Sequence, residues 1–396
     1  MATKKSKAGD KPLGPVFSLG DPEGVVRWTP ALLKKVFPRR ELGLKPLSLD
    51  TPETIAKEIS ESAEACFERF EAGAKLEGAD LSLHAALSEA RSWLAAGAIE
   101  EPTLTVAALA YQLATVGDMF RDVSLGARLV DLWVQRFGLR FALDALCEAF
   151  TVAYATGGGS SVVSVPVRKA RKGYGDGPVV RASLNSFALV RAPHLDLMYF
   201  NVGDIPRALA GERSLSIHFV NDECRSWVRL REHLATAPKE AWEATHPRAE
   251  ELMKHPSALV RHLVAFSFPE RPEWAESLTG ERGHTLFPVL SASVRDPSKL
   301  QYVTLEYFFQ EFERCTVSML AASGAKAVAP LMKALDNVRA TPQKRFIVGL
   351  VAQVDTDEAV DALLSLGDAT YATAAVATMR ANFPERVVQR EKRYSA

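Results

Sequence analysis

Two stretches near the C-terminus read almost in register with each other. Ala327-Val-Ala-Pro-Leu-Met-Lys-Ala-Leu335 aligns with Ala359-Val-Asp-Ala-Leu-Leu-Ser-Leu366 at an offset of 32 residues. A helix-like segment follows each, Lys344 to Val354 and then Thr373 to Phe383. A period of about 30–45 residues built from two helices per unit is the mark of an α-solenoid, because one such pair cannot bury its apolar face alone and must stack on a neighbour. The repeat therefore predicts a mostly α fold, an array of helical pairs with an extended surface for partners. It supplies no reaction.

The rest of the chain divides around that array. Residues 1–50 are rich in proline and glycine and read as an irregular segment that packs on the helices after it. Residues 51–156 read as helical pairs. Thr51 is an N-cap with Pro52 at the first helical position. Ile55, Ile59, Ala63, Cys66, Phe67 and Phe70 recur at helical spacing and predict one buried stripe. Leu83 to Ala96, with Trp93 on its apolar face, and the nearly all-apolar Thr103 to Val116 come next. Gly138 separates Val123–Phe137 from Leu139–Ala155 as a helix stop. Residues 157–222 break the pattern and predict a loop-rich or small β insertion with one hairpin. Its short β-branched runs are Ser161–Val167, Val179–Leu184, Leu195–Val202 and Leu215–Val220. The six glycines of 157–178 mark the most protease-sensitive part of the chain. Helices return over 223–396 with Cys224–Ala235, Pro238–Thr245, Pro247–Lys254, Ser257–Ser267 and an aromatic helix Gln301–Ala322. Phe308, Phe309, Leu331, Leu363 and Val376 are the expected core of this half. The basic end, Arg390 to Ala396, reads as frayed.

Composition restricts the function classes. The chain has 396 residues, 47% of them apolar and 24% charged, with 48 basic residues against 48 acidic ones. That balance disfavours nucleic acid, whose dedicated binders carry a basic excess. Cys66, Cys147, Cys224 and Cys315 lie too far apart for a zinc knuckle or a redox pair, and reduced thiols fit a cytoplasmic protein. The lysine-rich start, Met1 to Pro12, lacks the apolar core of a signal peptide. A run of 18 apolar residues is not visible, so no membrane association is expected.

The run Asp355 to Pro384, together with Val130-Asp-Leu-Trp-Val-Gln-Arg-Phe-Gly-Leu-Arg-Phe-Ala-Leu-Asp-Ala-Leu146, resembles HEAT-like repeats. More narrowly, it looks like the helical region of bacterial proteins of the molybdate-metabolism-regulator type, which join a WGR module, HEAT-like repeats and a further C-terminal domain. The resemblance covers 51–156 and 223–390. It implies a HEAT-like α-solenoid in a bacterial cytoplasm and brings no catalytic residue. No Trp-Gly-Arg tripeptide occurs in the sequence, and no segment of it is expected to form that C-terminal domain.

Patterns that carry chemistry are sparse. There is no Walker A motif. Gly173-Tyr-Gly-Asp-Gly177 with Arg168, Lys169, Arg171 and Lys172 outlines an anion-binding loop. His194 and Asp196 would share one face of a strand without a third metal ligand nearby, and the serines at 160 and 161 lack the nucleophile elbow. Asp355, Asp357, Glu358 and Asp361 suit a helix N-terminus, since a calcium loop would need glycine where Val360 stands. These readings predict a non-catalytic scaffold with no cofactor and no metal, acting on a protein partner. An inhibitor or immunity-type protein that occludes one partner is the alternative, and a HEAT-like DNA-binding or DNA-repair enzyme is a third. The docking surface is assigned to the second helices of the C-terminal pairs, with Ala372, Ala375 and Met379 admitting a partner and Arg345 and Arg380 anchoring its rim.

Overall fold

The computed structural model describes residues 25–76, 79–118, 125–156, 161–164, 180–183, 187–191, 199–201, 221–279, 292–297 and 312–394. These form a mostly helical protein with a small β region. The first helix, α1 (Pro30–Leu33), and a 3-10 turn (Arg40–Leu42) belong to the N-terminal segment. Four long helices follow, α2 (Pro52–Gly73), α3 (Leu81–Ala95), α4 (Leu104–Asp118) and α5 (Leu125–Ala149). Thr51 caps α2 by accepting from the Thr54 amide, with Pro52 in the first turn. All six residues of the predicted α2 stripe are buried. On α4 every residue from Val106 to Thr115 is buried, as its nearly all-apolar run requires, with the buried Gln112 amide donating to the Ala149 and Val152 carbonyls. Trp93 packs against the edge of the core and donates from Nε1 to the Glu100 carbonyl.

Gly138 sits inside α5 at φ 86° and ψ 173°, a conformation reserved for glycine, so two helices meet end to end there. The second half stops at Ala149. Residues 152–155, expected to continue the helix, instead begin strand β1 (Val152–Thr156). The β-branched and aromatic Val152-Ala-Tyr-Ala-Thr156 pairs antiparallel with β4 (Phe187–Arg191) and parallel with β5 (Tyr199–Asn201). Long-range pairing thus overrides the helical periodicity preceding it. The predicted hairpin is present as β2 (Ser161–Ser164) against β3 (Val180–Ser183). The glycine-rich run 157–178 lies largely outside the described residues, as do Arg168, Lys169, Arg171, Lys172, His194 and Asp196.

The second half contains α6 (Asn221–Thr236), α7 (Lys239–Leu252), α8 (Ala258–Ser267), α9 (Pro272–Leu278), α10 (Phe312–Ser323), α11 (Val328–Asn337), α12 (Thr341–Val351), α13 (Asp357–Leu364), α14 (Thr373–Asn382) and α15 (Pro384–Tyr394). Pro247, expected to start a separate helix, lies inside α7. Its ring removes one amide donor there without ending the helix. The tail is helical through Tyr394, because Arg390 is held by Asp357 and Asp361. Phe312–Asn337 has the length and hydropathy of a membrane span, but 72% of that window is buried in the fold, as a core helix would be.

One apolar core runs from Val26 to Val387. The two stretches aligned in the sequence are buried alike. Ala327, Val328 and Leu331 are buried, and so are their counterparts Ala359, Val360 and Leu363. Val376 is only half-buried, and Phe308 and Phe309 lie outside the described residues. Where α4, α5 and α6 meet, a methyl on Gly126 would come within 2.7 Å of Ser226 Oγ and 2.9 Å of Thr115 Cγ2.

Two substitutions probe this packing. Leu363→Ala, emptying a fully buried site, should cost roughly 2–5 kcal/mol in urea unfolding. Gly126→Val should overpack the three-helix contact and lose about 1–3 kcal/mol or more, read in the same way. A loss below about half a kcal/mol for Leu363→Ala would contradict the packing of α13.

Candidate functional site

Helices α12 and α14 lie side by side with their ends matched. The Lys344 ammonium sits 5.4 Å from the Tyr371 ring centre at one end. At the other, Asn382 Nδ2 donates to the Ala352 carbonyl and to Gln353 Oε1, each at 3.4 Å. Arg345 is exposed on α12. Arg380 is exposed on α14 and reaches Glu391 Oε1 from Nη2 at 2.7 Å and from Nε at 3.1 Å. The three small or flexible residues assigned to the docking surface are not on it. Ala372, Ala375 and Met379 are 0%, 5% and 2% exposed and point into the core. The outer face of α14 is made by Ala374, Ala377, Thr378 and Ala381. Alanine occurs on both faces of this helix, so its spacing cannot tell inside from outside.

The acidic run works against α15. Thr356 caps α13, and Asp357 and Glu358 fill its first turn. Arg386 donates to Asp355 Oδ1 at 2.6 Å and to Asp357 Oδ1 at 2.8 Å. Arg390 donates to Asp361 Oδ1 at 2.7 Å and to Asp357 Oδ2 at 3.2 Å. Each of these arginines bridges two carboxylates.

Buried polar groups concentrate on α6, where the sequence offered no motif. Asp131 of α5 accepts from Arg229 Nε at 2.6 Å, Arg229 Nη2 at 3.0 Å and His233 Nε2 at 2.7 Å. Burial raises the Asp131 pKa, but the hydrogen bonds from His233 and Arg229 outweigh it and hold the carboxyl below its ordinary range. A carboxylate orienting a histidine is half of a nucleophilic triad. Among the described residues no hydroxyl or thiol hydrogen-bonds the His233 ring, so the cluster acts as a cross-link between α5 and α6. The thiols of Cys66, Cys147 and Cys315 are buried, and burial pushes that of Cys147 well up, leaving it unreactive. The described residues hold no group of three His, Cys, Asp or Glu placed for a metal.

Arg231, two residues before His233 and so on the other side of α6, is fully buried. Its Nε donates to the Pro38 carbonyl at 2.7 Å, and its Nη1 to the Phe266 carbonyl at 2.9 Å. The guanidinium lies 4.6 Å from the Phe266 ring centre. Through this contact the N-terminal segment meets helices almost 200 residues away. Elsewhere, Glu53, Lys57, Glu61, Leu94, Ile99 and Arg136 line an open cleft of about 310 Å³ between α2 and α3. Ile99 projects there, 64% exposed, after Gly97 and Ala98, both at positive φ.

The sheet docks on α3 through a titratable group. The Leu189 amide donates to His84 Nε2 at 3.0 Å, and the Asp80 amide donates to the Leu189 carbonyl at 2.8 Å. Burial lowers the His84 pKa, and the Asp80 carboxylate offsets this only in part. Neutral imidazole is the form that can accept this bond.

Comparison with known proteins gives one match: residues 219–307 fit a family model described as the YehI second domain. No curated protein and no solved structure matches the chain. The matched span begins two residues before α6 and carries Arg229, Arg231, His233 and the core of α8.

Because the folded-state pKa of His84 lies below the unfolded one, its contribution is complete above about pH 6.5 and is lost as pH falls toward the folded value. The midpoint of urea unfolding should therefore drop between about pH 6.5 and 5 by more in wild type than in His84→Gln, whose amide oxygen accepts without titrating. Equal pH profiles for the two proteins would contradict this role.

Proposed function

We propose that this chain is a non-catalytic protein-interaction scaffold of the α-solenoid type, with α11–α12 and α13–α14 as successive HEAT-like units and α15 opening a third. The observation that carries the reading is the spacing of its cross-links. Every hydrogen bond from Asn382, Arg386 or Arg390 to the preceding unit spans 29 to 33 residues. Contacts at one fixed separation are what stacked repeats produce, since each unit touches only its neighbours. The parallel alignment of α12 with α14, and of α13 with α15, supports the same arrangement. The outer face of α14 is nearly flat because its side chains are small, and Arg345 stands beside it on α12. A flat face with an arginine at its edge suits a protein surface. The pairing of Arg380, Arg386 and Arg390 with carboxylates speaks for protein rather than nucleic acid, which needs free cations. On this reading the array is related to the HEAT-like region of the molybdate-metabolism-regulator type, and the protein works in a bacterial cytoplasm.

The test is affinity capture from the native host with folding checked by circular dichroism. Arg345→Glu with Arg380→Glu, and separately Ala377→Arg, should leave the fold intact and weaken retention of the captured partner at least about tenfold, equivalent to ~1.4 kcal/mol. Folded variants that hold the partner at full affinity would exclude this face.

A further inference from the structure

The N-terminal segment behaves as a peptide laid across the second half of the molecule. Val25 and Arg27 pair through their backbones with the α12–α13 connection: the Arg27 amide donates to the Gln353 carbonyl at 2.8 Å, and the Asp355 amide to the Val25 carbonyl at 2.7 Å. Lys35 pairs with Glu313 of α10. The five residues Val36-Phe-Pro-Arg-Arg40 are then held one by one. Val36 and Phe37 are buried. The Phe37 amide donates to Ser318 Oγ at 2.7 Å, and its ring meets Phe266 edge-on at 5.3 Å. The Pro38 carbonyl accepts from Arg231 at 2.7 Å. Arg39 Nη1 donates to the Ala321 carbonyl at 3.2 Å. Arg40 Nη1 donates to the carbonyls of Leu234 and Ala237 at 3.0 Å each, where the negative end of the α6 dipole favours a cation. Its amide donates to Glu270 Oε1 at 3.2 Å.

What tethers this segment to the rest is weak by comparison. Gly43 turns the chain at φ 56°, and the residues from 43 to 50 that lead to α2 are exposed or half-exposed, with no buried side chain among them. Backbone bonds to a segment supply affinity, and pockets for alternate side chains supply selectivity. That division of labour is how proteins read extended peptides.

We propose that α6, α8 and α10 form a recognition site for an extended peptide of the type Val-Phe-Pro-Arg-Arg, filled here by residues 36–40 of the chain itself and open in trans to a partner segment with the same aromatic-proline-arginine-arginine chemistry. Each element of that chemistry has its receptor: an aromatic edge contact for the phenylalanine, a guanidinium for the proline carbonyl, backbone carbonyls for both arginines. The tether gives the internal segment a high effective concentration, so a competing partner must bind tightly or arrive when the segment is displaced. The proposal extends the scaffold reading to a second surface, built on α6, α8 and α10 rather than on α12 and α14. Arg345→Glu should leave it untouched, so either idea can fail without the other.

The experiment uses the full-length chain. A specific protease site is placed at Leu44–Pro46 of the full chain, the chain is nicked, and labelled peptide 25–43 is titrated by fluorescence anisotropy. The nicked protein should stay folded by circular dichroism and exchange the peptide saturably. Peptides carrying Phe37→Ala or Arg40→Ala should bind at least about tenfold more weakly. In un-nicked protein, Arg40→Ala should loosen the internal segment and admit the wild-type peptide more readily than the unaltered chain does. Unfolding of the nicked chain would mean that the segment is core rather than ligand and would overturn the proposal. Failure to exchange, or equal binding of the altered peptides, would overturn it as well.

Discussion

A guanidinium buried without a carboxylate against it sets the terms for much of this fold. Arg231 has no exposed surface, and taking such a charge out of water costs several kcal/mol unless its donors are used. Two of its nitrogens are used, on the carbonyls of Pro38 and Phe266, with Ser293 Oγ at 3.4 Å as a third acceptor. The faces of the ion are covered by Phe266 and Phe37, whose π-electrons attract it, and the carboxylates of Glu270 and Glu41 add a longer-range attraction. Burial, with nearby Arg39 adding to it, pushes the pKa down to about 9, which still leaves the group charged at neutral pH. Four separate pieces of chain must therefore be in place for one side chain to be tolerable: the N-terminal segment, α6, α8 and the stretch around Ser293. That makes Arg231 a specificity device. It rewards one placement of the N-terminal segment and penalises any in which Pro38 is elsewhere.

The charges farther out do a different job. Asp355, Asp357 and Asp361 face Arg386 and Arg390, and a half-exposed pair of this kind is worth well under a kcal/mol by itself. Their value lies in register. Because each arginine bridges two acids in or just before α13, α15 cannot slide by a turn without breaking several bonds together. The same division holds at the other end of the molecule, where Arg128 is shared between Asp50 and Glu58 and ties α5 to the start of α2. Apolar burial supplies the stability of the helical packing, and the ion pairs select its register.

The parts of the fold legible in the residues were those governed by local rules. The α2 stripe, the Thr51 cap, the Gly138 break and the matched burial of the two repeats all arise from helical period and from the φ that only glycine adopts. Strand β1 was hidden because Val152–Thr156 comes after a helix in an apolar context, and its partners lie 31 or more residues away. The face proposed for docking was only partly legible. Arg345 and Arg380 are on the surface, since charged side chains stay solvated, but Ala372, Ala375 and Met379 are inside. An alanine-rich helix carries little amphipathic contrast, so neighbouring helices choose which alanines are buried.

What the sequence determined by itself was the class of object: helices, a repeat of about 30 residues, a balanced charge, and no recognisable catalytic motif. What only the tertiary structure decided was which distant groups meet. Nothing in Val36-Phe-Pro-Arg-Arg40 announces that it will lie on α6, α8 and α10, and nothing around Arg231 announces that its partner will be the carbonyl of Pro38, 193 residues earlier. Local periodicity reports how a segment folds on itself, because those energies depend on residues three or four apart. A buried cation is satisfied by whatever acceptors the folded chain brings to it, and that is settled only when the whole core closes.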